Sequence, residues 1–394
     1  MSALLPLEEA WARLFALVSP VEAETVMVDE AAGRYLAAPL IAHRTQPAHD
    51  LSAMDGFAVA GAGPWRILGE ARAGVPFGRA IAPGEAARIS TGAVCPDGTE
   101  GIVLLEDGAV ANDLLLETAA PSSQHIRRRG FDFATGARLL ESGAPIGPAQ
   151  IALARAAGHA DLAVGRRPRL AIIECGDELV ADPREAGEHS LPASNGAMVA
   201  AMCKPLVRAV DRIGPLPDDR AALAAAFAQA RDADVIVTTA GASVGAHDHV
   251  KGALQDWGAT LDFWRVAIRP GKPLLVAQRG AQLVLGLPGN PASAFVTAFL
   301  FLLPLLRASS GAARPLPTAL SLRLAQPLPA GGARREFRRA RLSDEGVVPI
   351  DERDSSALLA LGHAELLIDR PIDAPAASAA DEVTSYWIGN GGMA

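Results

Sequence analysis

Apolar residues at Leu7, Ala10, Trp11, Leu14, Phe15 and Val18 recur at helical spacing, which predicts an amphipathic helix over residues 7–18 that Pro20 stops. Between about Thr45 and Phe133 the pattern changes. Short apolar runs at residues 66–68, 87–89, 101–105 and 114–117 are punctuated by glycine and proline and predict a small β-rich unit. Helical patterning returns at residues 150–157. That piece is too short to bury its own face, so it is expected to pack against the N-terminal helix, which makes the β-rich unit an insertion. From Arg169 to about Ser310, strand, loop and helix alternate, as in a layered α/β domain. Continuous apolar strands are predicted at residues 170–173, 235–238 and 283–287, and helices at 195–202 and 221–231. Asn290 is a candidate N-cap ahead of Pro291. Residues 292–306 contain Pro304 and fall short of the roughly 20 needed to span a bilayer, so they read as a buried helix. Leu320, Leu322 and Leu324 alternate at the start of a last, small β domain.

Composition narrows this picture without changing it. At about 100 to 200 residues per domain, 394 residues give two to four domains. Half are hydrophobic and 20% charged, the balance of a folded chain. A net charge of -8 gives no global attraction to nucleic acid or anionic lipid. RNA binding is further weakened by an aromatic content of 5%. Cys95, Cys175 and Cys203 have no paired metal or redox spacing, and the first ten residues carry Glu8 and Glu9 without a basic region. A reducing, cytoplasmic location is expected.

The chemistry is expected where polar loops follow the apolar strands, because ligands of parallel α/β sheets sit beyond the carboxyl ends of strands. The first loop is Cys175-Gly176-Asp177-Glu178-Leu179. The second runs from Ala240 through Gly241, Ser243, Gly245 and His247 to Asp248, and the third is Pro288-Gly289-Asn290-Pro291. A glycine-serine loop entering a helix offers N–H groups and a hydroxyl to a phosphate; a plain glycine turn is the other reading. Asp177, Glu178 and Asp248 are candidates for holding magnesium, with helix capping as the other reading for Asp177 and Asp248. Arg269-Pro270-Gly271-Lys272-Pro273 puts two cations on a stiff turn suited to an anion or to solvent. Asp55, within Met54-Asp55-Gly56-Phe57-Ala58, is either a turn residue or a site acid. Arg335, Phe337, Arg339 and Arg341 share one face if they lie on a strand, giving an anion site or a solvated edge.

These motifs, in this order, resemble the molybdopterin molybdenumtransferase family, known as MoeA and related to the gephyrin E domain. Its most specific parts here are the segment around Asp55, Thr91-Gly92-Ala93, the stretch 127–132 with Gly130, Gly176-Asp177-Glu178-Leu179, Ser243-Val244-Gly245 with Asp248, Pro270-Gly271-Lys272-Pro273, and Gly286-Leu287-Pro288-Gly289-Asn290-Pro291. The resemblance implies a multidomain α/β plus β fold. Its parts are a split helical domain (residues 1–44 and 135–166), an inserted β-rich domain (45–134), a three-layer α/β domain with a mostly parallel sheet (167–310) and a C-terminal β-barrel (311–394).

It also implies an elongated homodimer with its cleft between the α/β domain of one subunit and the β-rich domains of the other. The implied reaction takes molybdate and adenylylated molybdopterin, requires Mg2+ and releases AMP. Asp55, Thr91, Asp132, Glu178 and Asp248 are the implied catalytic residues, with Glu178 and Asp248 on the metal. Gly176, Asp177, Gly241, Ser243, Gly245, Arg269, Lys272, Pro288, Pro291, Arg339 and Ser355 are implied to bind substrate, Arg339 and Ser355 as an oxyanion-holding pair that Arg338 or Ser356 could replace. Candidate partners are the molybdopterin adenylyltransferase and molybdoenzyme chaperones, with no nucleic acid or membrane partner. Glu174, Cys175, Ala240, Ala246 and Arg269 depart from the family pattern, and they motivate an alternative in which a divergent paralogue stores or delivers finished cofactor. A scaffold role like that of gephyrin lacks a long linker or partner-binding tail.

Overall fold

The computed structural model describes residues 4–19, 22–117, 119–239 and 249–389. At its centre is a six-stranded sheet in the order Ala209–Leu216, Arg169–Cys175, Val235–Thr239, Gln282–Leu287, Leu275–Arg279, Thr260–Trp264. The first four strands are parallel, and the last two are added antiparallel. Helices cover both faces, which is why its inner strands read as unbroken apolar runs. Alternate residues divide between the faces. Leu170, Ile172, Val235, Val237 and Leu285 pack toward the helices Asn195–Cys203 and Pro291–Ser309, whereas Ala171, Ile173, Ile236 and Val284 pack toward Arg220–Gln229 and His249–Asp256. Arg169–Cys175 has the next strand in sequence on one side and Val235–Thr239 on the other. The order therefore reverses at the carboxyl ends of these two strands, where such sheets open a crevice.

The apolar helix Pro291–Ser309 is 19 residues long, so length does not exclude it from a membrane; its burial inside the protein, 89% over its apolar window, identifies it as a core helix. Pro304 lacks the N–H that would bond the carbonyl of Leu300, four residues back, and the helix loosens into a π turn over Ala298–Leu302. Trp11 takes up that carbonyl: its indole N–H donates to Leu300 O at 2.7 Å. The N-terminal helix, Leu7–Ala16, thus buries Leu7, Ala10 and Leu14 in the α/β core, contrary to the expected packing on the later helix.

That later helix, Pro148–Ala156, packs instead on Val28, Ala31 and Leu36. Around it, Ala23–Met27 pairs with Asp161–Gly165, and Leu40–Ile41 with Arg138–Leu140. The expected helical domain is therefore a unit of short ladders with one helix. Between its halves lies a six-stranded sheet in the order Gly101–Leu104, Gly56–Val59, Glu85–Ile89, Trp65–Ala71, Leu114–Glu117, Gly108–Ala111.

In the last sheet Arg335–Ser343 pairs with Leu366–Arg370, then come Glu382–Trp387 and Leu320–Arg323, while Gly346–Pro349 pairs with the other edge of Arg335–Ser343. A bridge from Leu324 to Val347 brings this order back on itself. Ile268–Arg269, from the α/β domain, joins the same sheet parallel to Arg335–Glu336 and so fixes the turn that follows it.

Candidate active site

Three segments distant in sequence converge on a cleft of about 730 Å³: the 269–273 turn, the Pro288-Gly289-Asn290 loop at the start of the core helix, and the 353–355 loop of the last domain. Gly271 is required in the turn. It has φ +105°, and a Cβ there would meet Thr297 Cγ2 at 2.6 Å. Asn290 precedes the helix but does not cap it with its side chain. Its Nδ2 donates instead to Ser355 Oγ at 2.8 Å, while the Ala292 amide donates to Ser355 O at 2.9 Å. Asn195 Nδ2 donates to Gly289 O at 2.6 Å, tying another helix start to the same loop.

The walls are cationic. Lys272 and Arg353 are exposed, and their side chains make no hydrogen bond or ion pair among the described residues. Arg269 meets Glu336 at 3.3 Å, and Arg334 donates to Ile268 O. With the amino end of a core helix on one side, the cleft suits a multiply charged oxyanion.

Arg269, Lys272, Pro288 and Ser355 line this cleft; Pro291 sits just behind it in the first turn of the helix. Arg339 lines a neighbouring pocket but is engaged by the protein itself. It is 7% exposed, and its guanidinium donates to the carbonyls of Glu352 at 2.6 Å, Asp354 at 3.0 Å and Ala357 at 3.0 Å. It therefore braces the loop that carries Ser355. The Arg335 face is not a solvated edge, because its strand has neighbours on both sides. Arg335 is paired with the buried Asp369 and with Glu8, and Phe337 is buried.

At the carboxyl end of Arg169–Cys175, Gly176 leaves room for Glu178; a Cβ would meet Glu178 Oε2 at 2.7 Å. Glu178 is exposed, whereas Asp177 Oδ1 accepts the Asp218 amide at 3.0 Å and so braces a turn. Glu174 is enclosed and partnered within the protein. It is 2% exposed, accepting from Gly196 N at 2.7 Å, in the first turn of Asn195–Cys203, and from Arg212 Nη2 at 2.9 Å. Cys175 is a buried filler whose thiol burial pushes up to about 12. Gly241, Ser243, Gly245 and Asp248 lie outside the described residues. Among the described residues no three His, Cys, Asp or Glu side chains converge to hold a metal ion.

In the inserted domain Asp55 Oδ1 accepts from the Thr91 amide at 2.7 Å and its hydroxyl at 3.1 Å. Asp132 is held by its own amide on Gln46 O, with its side chain exposed. No described hydrogen bond or ion pair connects these three to the cleft. Sequence reasoning passed over Arg353, Arg334, Asn195 and Ser293. The first two had a signal, each being a cation within two residues of a residue already singled out.

Residues 5–158 match the family model for the MoeA N-terminal region (domain I and II), and residues 171–308 match that for a probable molybdopterin binding domain. The chain is 35% identical over 371 residues to molybdopterin molybdenumtransferase 2 of Mycobacterium tuberculosis, covering 89% of this chain and 91% of that protein. It is 37% identical over 363 residues to the molybdopterin molybdenumtransferase of Synechococcus elongatus, covering 86% and 88%. Among solved structures it is similar to the molybdopterin biosynthesis MoeA protein of Pyrococcus horikoshii, with TM-score 0.79, 26% identity, and coverage of 98% and 99%.

Proposed function

The chain belongs to the molybdopterin molybdenumtransferase family, and from that premise we propose that it inserts molybdenum from molybdate into adenylylated molybdopterin and releases AMP. It is a transferase of molybdenum cofactor biosynthesis. The observation that carries the finer reading is the cleft in which Lys272 and Arg353 have no carboxylate partner among the described residues. Molybdate is a tetrahedral dianion and the other substrate carries a pyrophosphate, so bringing them together requires fixed positive charge to offset their repulsion. Lys272 and Arg353 are available for this, and the volume of about 730 Å³ lies within the roughly 300–1,000 Å³ common to small-molecule sites. Positioning, more than covalent chemistry, supplies the rate in this reading.

Two of the departures that favoured a storage protein lose their weight; Ala240 and Ala246 lie outside the described residues. Glu174 caps a helix and Cys175 fills space, so neither repels a phosphate. Asp55, Thr91 and Asp132 sit on an exposed face, and we read them as completing the cleft of a second copy in a cytoplasmic homodimer. A magnesium ion belongs to this reading, with Glu178 and Asp248 as the residues that would hold it.

The test is AMP formation from adenylylated molybdopterin by wild type, Glu178→Ala and Lys272→Ala. Molybdate-dependent AMP from wild type, lost in both variants, is the expected result. Absence of AMP, or equal rates in all three, overturns the reading.

A further inference from the structure

Glu174 does not line the cleft, yet a run of hydrogen bonds leads from it to a loop that does. Resting on the function proposed above, we propose that Glu174 is a positioning residue: it fixes the start of the helix Asn195–Cys203, and through Asn195 it sets the Pro288-Gly289-Asn290 wall of the cleft where the substrates require it.

Every residue from Leu170 to Cys175 is buried, so a carboxylate in this strand is unfavourable unless its oxygens are satisfied. Both are. Oε1 accepts the Gly196 amide at 2.7 Å, and Oε2 accepts from Arg212 at 2.9 Å, on the neighbouring edge strand. The Gly196 amide lies in the first helical turn, where amides have no acceptor within the helix and negative charge is favoured. Ser194, at the cap position, makes no side-chain cap bond, and Glu174 takes over that task from another element. Gly196 is part of the arrangement, because a Cβ on it would collide with the Glu174 carboxyl.

The anchored helix start carries the link to the cleft. Asn195 Nδ2 donates to Gly289 O at 2.6 Å, while its Oδ1 is buried with no hydrogen-bond partner. The reach of this short side chain therefore depends on where the backbone beside Gly196 is held. One residue beyond Gly289, Asn290 donates to Ser355 Oγ, and the Ala292 amide donates to Ser355 O. A shift at Glu174 thus reaches two of the three segments that meet at the cleft. The third, the 269–273 turn, is held separately by the pairing of Ile268–Arg269 with Arg335–Glu336.

The test compares Glu174→Met, Glu174→Gln and Asn195→Ala with wild type, by hydrogen exchange of the full chain and by AMP formation with each substrate varied in turn. Glu174→Met keeps the volume and removes the acceptor. It and Asn195→Ala are each expected to speed exchange over residues 288–294 and to raise the KM for molybdate or for adenylylated molybdopterin about tenfold, with kcat within about twofold of wild type. Glu174→Gln, which keeps an acceptor for the Gly196 amide, should recover most of the loss. Combining Glu174→Met with Asn195→Ala should be no worse than either alone, since both break the same run of bonds. A role in stability alone lowers the amount of folded enzyme, and so lowers kcat and leaves KM unchanged. That pattern, or effects that multiply in the double variant, overturns the proposal. Should Glu174→Met melt early, Asn195→Ala decides, and wild-type exchange and KM in it overturn the proposal. A wild-type chain that forms no AMP overturns the proposed function, while unchanged exchange over residues 288–294 overturns this inference alone.

Discussion

The cleft and the Asp55 corner of the inserted domain both carry exposed charge, yet the fold treats them oppositely. At the corner each acid is given its donors: Asp55 has Thr91, and Asp50 has Arg128 at 2.7 Å and the Arg129 amide at 2.7 Å. At the cleft, Lys272 and Arg353 are brought to one site by two separate segments and given no acceptor among the described residues. Holding unneutralised like charges near one another opposes folding, so such a place is better explained by a ligand than by stability.

Replacing an unpartnered cation should therefore impair catalysis and spare the fold. Lys272→Ala is expected to lower the rate of AMP formation about 10²-fold or more, close to 3 kcal/mol of transition-state stabilisation, with an unchanged melting midpoint. A large fall in melting midpoint would remove the distinction. Arg339→Met should do the reverse, costing about 2–4 kcal/mol of stability because three carbonyls of the 352–357 loop lose a buried charged donor. Urea unfolding with a stable midpoint would show that the loop does not depend on Arg339.

Much of this contrast was legible in the sequence, and the missing part has a physical reason. Apolar runs gave the central strands, and the turn holding Lys272 and the loop before Pro291 were found because glycine and proline mark backbone geometry locally. Whether a charge has a partner is a tertiary property. Glu174 stands out in the sequence only as a departure from the family pattern; the structure shows it held by Gly196 and Arg212. Arg339 was preferred to its neighbour because a one-residue register cannot be settled without knowing which face is buried. Trp11 gave no hint that it serves a carbonyl 289 residues away.

A partnered acid should show its worth through pH. Asp234 accepts from Arg166 at 2.9 and 3.1 Å and from the Arg169 amide at 2.6 Å, where the split unit joins the α/β domain. Burial pulls its carboxyl up, but the bonds from Arg166 and the Arg169 amide outweigh burial and hold it below the usual value. Its contribution is therefore complete above an ordinary Asp value of about 3.9 and is lost as pH falls through the lower folded value. Asp234→Asn should cost about 1 kcal/mol at neutral pH, reduced by the partial exposure of both groups, and the gap should close in acid. A difference in urea midpoint that persisted at low pH would assign the effect to packing.

The smallest effect is expected at the corner itself, from Thr91→Val. The substitution removes the longer of the two bonds to Asp55 and leaves the 2.7 Å amide bond intact. Because the carboxylate is exposed, water can replace the lost hydroxyl, and the stability cost should be about 0.5 kcal/mol. If Asp55 reaches the cleft of a second copy, turnover should fall a few-fold, and Asp55→Asn, which keeps the shape and removes the charge, should fall further. Equal, wild-type turnover in both variants would mean that the corner is partnered for structure alone, leaving the unpartnered cations as the seat of the chemistry.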